Sequence, residues 1–208
     1  RGPDPPDLYG YRDLSYDDAK KVRIGTCLAL RAATMARVCI ASGVGFVIEN
    51  PAPRVGYASM FSLPEFRELV SIEGVFVHDF VQCELGAKTS KPTRFVSNMR
   101  FEDLPPRCTH NPLWWRVPWS GEWHWGPHPP AKGTQWAIPQ QDWHRGLLRD
   151  APPAAPFVAK ELAQYPWALI MIIASTISVF MSQGACEAGP DITSNRLDSI
   201  QATASIAA

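Results

Sequence analysis

The sequence carries no excess charge of either sign: 20 basic residues stand against 20 acidic ones over 208 positions. That balance excludes a partner held by a general electrostatic field, nucleic acid or anionic membrane alike, and leaves recognition through a local patch. Cysteine is scarce and odd in number. The five residues, Cys27, Cys39, Cys83, Cys108 and Cys186, have irregular spacing, which argues against a disulfide framework and for reduced thiols in an intracellular protein. Long hydrophobic runs are missing as well. The longest, in WALIMIIASTISVF from Trp167, is about fifteen residues, short of the roughly 20 that cross a bilayer. A buried helix is the first reading of it and a membrane segment the second. The opening RGPDPPDLYG is polar and proline-rich, unlike a secretory signal, and lacks a leading methionine, as in a piece of a larger polyprotein or a processed protein. There is no internal repeat.

Other features are abundant but concentrated. Eleven of the 20 prolines and seven of the eight tryptophans fall between residues 105 and 156. Periodicity disappears there, and the expectation is an irregular, aromatic-packed segment. APPAAP, 151–156, reads as a linker, 157–182 as an apolar C-terminal helix, and 183–208 as a disordered tail.

The part before it alternates. After a loop over 1–14, Ser15 and Asp18 mark a helix start, and Ile24, Cys27, Leu28, Met35 and Val38 keep helical spacing as far as Gly43, a natural stop. The helix is expected over about 16–42. Residues 44–49 are apolar on both faces, the pattern of a buried parallel strand. Ser62, Pro64 and Glu65 signal a short helix over 63–71. Strands follow at 75–81 and 94–98. Helix, strand, helix, strand, strand over 15–104 predicts an α/β sheet with crossover helices. Functional groups in such sheets gather beyond the carboxyl ends of the strands, where Glu49, Asn50 and Gln82-Cys83 are expected.

Two stretches carry candidate chemistry. In GFVIENPAPR, a carboxylate and an amide end an apolar strand just before a proline-stiffened loop. Glu49 there reads as a turn residue or as a functional acid. In CELGAKTSKPTR, Gly86 permits a sharp turn, and Lys88, Lys91 and Arg94 accompany Thr89, Ser90 and Thr93. Such donors suit phosphate contacts, or a solvated hairpin.

Taken in order, GFVIENP, HDFVQCELGAKTSKPTRFVSN, CTHNPLWW, GEWHW and QWAIPQQDW resemble the second half of a cytosine carbon-5 DNA methyltransferase-like domain, of the kind found in microalgal retroelement polyproteins and phages. The resemblance covers about residues 16–175. It implies a partial methyltransferase-like (Rossmann-type) α/β sheet, with the Trp/Pro-rich segment and apolar helix appended. It also implies that Glu49 meets N3 of a cytosine flipped from the duplex, where a carboxylic acid accommodates charge as a thiolate attacks carbon 6. Asn50 would shape the pocket of the methyl donor, S-adenosylmethionine. Lys88, Lys91, Thr93 and Arg94 would contact DNA, with Lys91-Pro92-Thr93-Arg94 standing where the family more usually has an arginine pair.

The departures bear equally on function. The family nucleophile is a cysteine directly after proline, and no Pro-Cys pair occurs here. Gly43-Val44-Gly45 leads into a strand instead of following one, so it cannot serve as the methyl-donor loop. The expectation is therefore an intracellular, DNA-associated fragment, with the nucleus as one compartment for it. It would be inactive alone, need S-adenosylmethionine only in a complete parent, and have DNA and the remainder of a polyprotein as partners. The competing class is a non-enzymatic nucleic-acid-binding or polyprotein-interaction module. No membrane partner is expected. Cys108-Thr109-His110 and His124 to His128, with Cys83 or His144 in reserve, offer zinc-type donors. Their spacing fits no standard pairing and Pro127 bars a helix, so no metal site is expected. Trp114, Trp115, Trp119, Trp123, Trp125, Trp136 and Trp143, lying among Arg107, Arg116, Lys132, Arg145 and Arg149, read first as packing units and second as a surface on which bases stack.

Overall fold

The computed structural model describes residues 1–2, 4–117, 120–130, 138–141 and 165–184. Helix α1 spans Tyr16–Ala41. At its start Ser15 Oγ accepts from the Asp18 amide at 3.2 Å and donates to the Asp18 carboxylate at 2.8 Å. Its end is a Schellman motif: Val44 N–H reaches Cys39 C=O, Gly43 N–H reaches Ile40 C=O, and Gly43 takes φ +65°, a conformation that costs glycine little.

Three strands follow, β1 (Val47–Pro51), β2 (Phe76–Val81) and β3 (Pro92–Ser97), with α2 (Pro64–Val70) between the first two. They form one sheet in the order β1-β3-β2. Both outer strands run antiparallel to β3, with Glu49 opposite Phe95 and Asp79 opposite Arg94. The expected parallel pairing of β1 is thus corrected. β1 and β2 do point the same way, but β3 lies between them. Double-sided burial shows that a strand is covered, not which neighbour it bonds.

Directly opposed residues share a face, so the register sorts the core into two layers. Ile48 and Val96 face a cluster with Ala29, Ala33 and Ala36 of α1, Phe66 and Leu69 of α2, and Phe61 and Leu63 before it. Phe80 and Phe95 face the other way, their ring centroids 4.7 Å apart. They pack with Met99, Phe101 and Leu169, the last from a C-terminal helix, α3, over Trp167–Gly184. The main sheet is therefore covered by helices on both faces.

Three local expectations change. The α1 residues singled out by spacing lie outside: Ile24, Leu28 and Met35 are 50–61% exposed. The buried stripe is alanine, whose small side chain lets α1 approach α2 closely. Leu63, not Ser62, precedes α2 as its cap, and no side chain bonds there. The third change concerns α3, which buries Leu169 but leaves Ile170, Met171, Ile177 and Val179 exposed, so the apolar helix is covered on one side only. Among the described residues, the helix long and apolar enough to cross a bilayer is α1.

The Trp/Pro-rich segment is not wholly irregular. Strands β4 (Leu113–Arg116), β5 (Trp123–Gly126) and β6 (Ile138–Pro139) form a second antiparallel sheet in the order β5-β4-β6. Gly121, at φ +70°, lies in the turn that joins β4 to β5. Trp119, Trp136, Trp143, the 151–156 linker, residues 157–164 of the expected helix and the tail beyond Gly184 lie outside the described residues.

Candidate nucleic-acid interface

Glu49 lies in the middle of β1, not beyond its end, because the strand continues through Pro51 opposite Thr93. It is half-buried on the α3 side of the sheet, in one row with Phe95 and His78. Its Oε2 accepts a 2.9 Å hydrogen bond from the Tyr165 hydroxyl. Its Oε1 is buried and has no partner. A buried acceptor left unpaired costs about 1–3 kcal/mol, a cost relieved when this oxygen carries a proton and hands it, or a hydrogen bond, to an acceptor. Burial, and then the neighbouring Glu49 carboxylate, push the Tyr165 hydroxyl up to about 12. Tyr165 therefore stays a donor at neutral pH.

Lys91 reaches the same group from the entry to β3. Its ammonium stands 5.1 Å from the centre of the Tyr165 ring, a cation–π distance. Lys91, Tyr165 and Glu49 thus form one connected set.

Asn50 and Arg94 sit on the opposite face, directly across from each other. The Asn50 side-chain amide contacts Met60 Sδ. Arg94 grips Asp79 in a two-pronged ion pair, both N···O distances 2.7 Å, and lies over the Phe61 ring. Its charge is matched within the fold. Thr93 is fully buried, its hydroxyl accepting from Gln82 Nε2 and donating to the Lys91 carbonyl, each at 2.9 Å. Lys88 is exposed, and its backbone bonds the His128 ring. Of the six residues singled out in the sequence, the structure links Glu49 and Lys91. It puts Asn50 and Arg94 behind them, Thr93 inside, and Lys88 near a separate group of cysteine and histidine side chains.

A cleft of about 390 Å³ opens at the end of β1. Arg1, Arg54 and Lys91 line it together with Asn50, Ser59 and Tyr57, and among the described residues no Asp or Glu does. An anion such as a phosphate suits that lining.

The second sheet supplies a surface that spacing did not reveal. Trp114 lies opposite Trp125 and Arg116 opposite Trp123. Residues 114 and 116 share a face, so all four side chains are on one side. Trp114 and Trp125 meet at 5.2 Å between centroids, and Trp114, Trp123 and Trp125 are each 41–53% exposed. Trp115 points the other way and donates its indole N–H to the Gly126 carbonyl at 2.8 Å. Packing thus accounts for Trp115, while three indoles and a guanidinium form an open aromatic platform. Tyr165 carried no signal in the sequence. The platform could have been found from the alternation Trp-His-Trp over 123–125.

Comparison with family models, with curated proteins and with solved structures gives no match for this chain.

Proposed function

We propose that this chain is a nucleic-acid-binding part of a cytosine carbon-5 DNA methyltransferase-like domain, with Glu49 as the carboxyl group that meets the target base. The observation that carries the reading is the Glu49 carboxyl group itself. One oxygen is held by Tyr165 and the other is buried without a partner, the arrangement needed to exchange one proton or hydrogen bond with a ring nitrogen. A base must leave the stack to reach such a group. The Trp114–Trp123–Trp125 platform offers indole faces on which displaced bases can stack, and the Arg1–Arg54–Lys91 cleft offers cations for the backbone. The sheet, antiparallel throughout, places β3 reversed between two strands of the same direction, an order compatible with one end of a doubly wound sheet that carries a reversed strand.

The methyl donor does not fit this chain. Among the described residues, Gly43 to Gly45 is the one glycine pair close to a strand, and it precedes β1 where a donor loop would follow a strand. A side chain at Gly45 would meet Met99 Sδ at 3.0 Å and the Phe180 ring at 3.2 Å. That position is filled by the protein's own side chains. With no Pro-Cys nucleophile either, the chain's own contribution is binding and base reading, and methyl transfer requires residues supplied elsewhere.

A cytosine-containing single strand is expected to bind with an affinity that falls steeply with salt, while labelled S-adenosylmethionine yields no transfer. Absence of binding at low salt sinks the nucleic-acid reading, and robust methyl transfer by the isolated chain sinks the claim that it is incomplete. In a complete parent, Glu49→Gln is expected to lower turnover by orders of magnitude.

A second reading, a module that docks on another segment of a larger polyprotein, draws on one observation: Ile24, Leu28, Met35 and Val38 form an exposed apolar face on α1.

A further inference from the structure

Cys83, Cys108, His110 and His128 converge from three separate segments. Cys83 is buried in the 3-10 turn Gln82–Leu85 that follows β2. Cys108 and His110 lie in the connection from β3 to β4, and His128 lies just past β5. One ligand atom from each residue, two sulfurs and two ring nitrogens, falls within 4.8 Å of all the others. Cys108 Sγ is 3.5 Å from His110 Nδ1 and 3.2 Å from His128 Nε2. The two imidazoles stand edge to face, their centroids 4.8 Å apart. Both cysteines are free thiols.

We propose that these four side chains bind one zinc ion in a closed, tetrahedral Cys2His2 site. Bond lengths of about 2.3 Å to sulfur and about 2.0–2.1 Å to nitrogen place tetrahedral ligand atoms roughly 3.3–3.8 Å apart. Of the two sulfur–nitrogen distances, 3.5 Å lies in that range and 3.2 Å just below it, and the widest separation needs to close by about an ångström. Two thiolates with two imidazoles select zinc over the hard, oxygen-seeking cations. Four protein donors leave no coordination position for water, so the ion is structural.

The surroundings agree. Glu84 Oε1 is held by the Thr109 hydroxyl at 2.9 Å and by the Thr109 amide, 3.2 Å from His110 Nδ1, the nitrogen that also faces Cys108; binding the ion would turn that nitrogen from Glu84 to the metal. Glu84 adds a negative charge at the rim. The His128 ring bonds the Lys88 backbone, the kind of outer contact that orients a ligating imidazole. The sequence reading set these donors aside on spacing; standard pairings are local, whereas these four side chains meet only in the fold. A zinc ion here would clamp the start of the loop that leads through Lys88 and Lys91 into β3 to the sheet that carries the tryptophan platform.

The full chain, purified in reductant with zinc and then dialysed against a weak chelator, is expected to keep about one zinc per chain by elemental analysis. Replacing it with cobalt should give the intense visible absorption of a tetrahedral ion and a near-ultraviolet thiolate-to-cobalt charge-transfer band. Cys108→Ser should lose the metal, and His124→Ala, outside the group, should keep it. A ligand variant can lose zinc simply by unfolding, so the deciding measurement is on the wild-type chain, with circular dichroism to show that it is folded. Folded wild-type protein that holds no zinc, or that takes up cobalt without the tetrahedral and thiolate bands, overturns the site. So does zinc retained at wild-type stoichiometry by Cys108→Ser.

Discussion

The two sheets are the same size, three strands each, and are built in opposite ways. The first is closed: helices cover both faces, and Phe80, Phe95 and Val96 are at most 1% exposed. The second is open. Its central strand pairs indole against indole on a face that water reaches, and neither buried cluster includes a β4 or β5 residue. Hydrophobic burial accounts for the first sheet. The second leaves the same residue class exposed, and just past it His128 Nε2 lies 3.2 Å from Cys108 Sγ. Aromatic content alone therefore does not separate core from surface. Opposed position and exposure do.

The largest expected effect tests the closed half. Phe95→Ala removes a ring packed between Phe80 and Phe101, their centroids 4.7 and 5.4 Å away, and should lower unfolding free energy by about 3–5 kcal/mol. Urea denaturation measures it, and a loss below about 1 kcal/mol would mean the first sheet is not the core. Next comes the open half. Trp125→Ala should weaken binding to a single-stranded oligonucleotide by about 1–3 kcal/mol and leave the urea midpoint nearly in place. A midpoint that falls as far as for Phe95→Ala would erase the contrast between the sheets. The smallest effect is spectroscopic. Titration of tyrosinate absorbance should show one residue ionising near pH 12, against 10 for an ordinary tyrosine, and Tyr165→Phe should remove that step. Because the folded-state value is raised, the stability tied to this proton is whole below about pH 10 and declines as pH climbs toward 12. A Tyr165 that titrates near 10 would detach it from Glu49.

Much of the first hundred residues was legible because its signals are local. Ser15 and Gly43 bracket α1 to within a residue of the expected 16–42, and Gly74 and Gly86 sit at positive φ where strands and turns meet. Pairing was not legible, since the same both-sided burial of β1 fits a parallel or an antiparallel neighbour. The buried side of α1 was misjudged for a physical reason: spacing ranks residues by size and apolarity, whereas close approach between helices favours Ala29, Ala33 and Ala36. β4 and β5 were missed because tryptophan on the wet face inverts the usual apolar-in, polar-out reading, so that the alternation Trp-His-Trp over 123–125 is the one signal β5 offers. For the site, Glu49 and Lys91 were recognisable as residue types. Their link through Tyr165 spans 116 positions, and no local pattern encodes it.

Lys91 is the one described non-glycine residue at positive φ, +34°. A left-handed backbone costs a residue with a β-carbon roughly 1–2 kcal/mol, and glycine or asparagine takes it more readily. A protein designer asked only for a stable turn into β3 would write glycine here. Lys91→Gly should therefore tighten the fold while taking away the ammonium over Tyr165. In that turn the most stable sequence and the most useful one would part company by a single side chain.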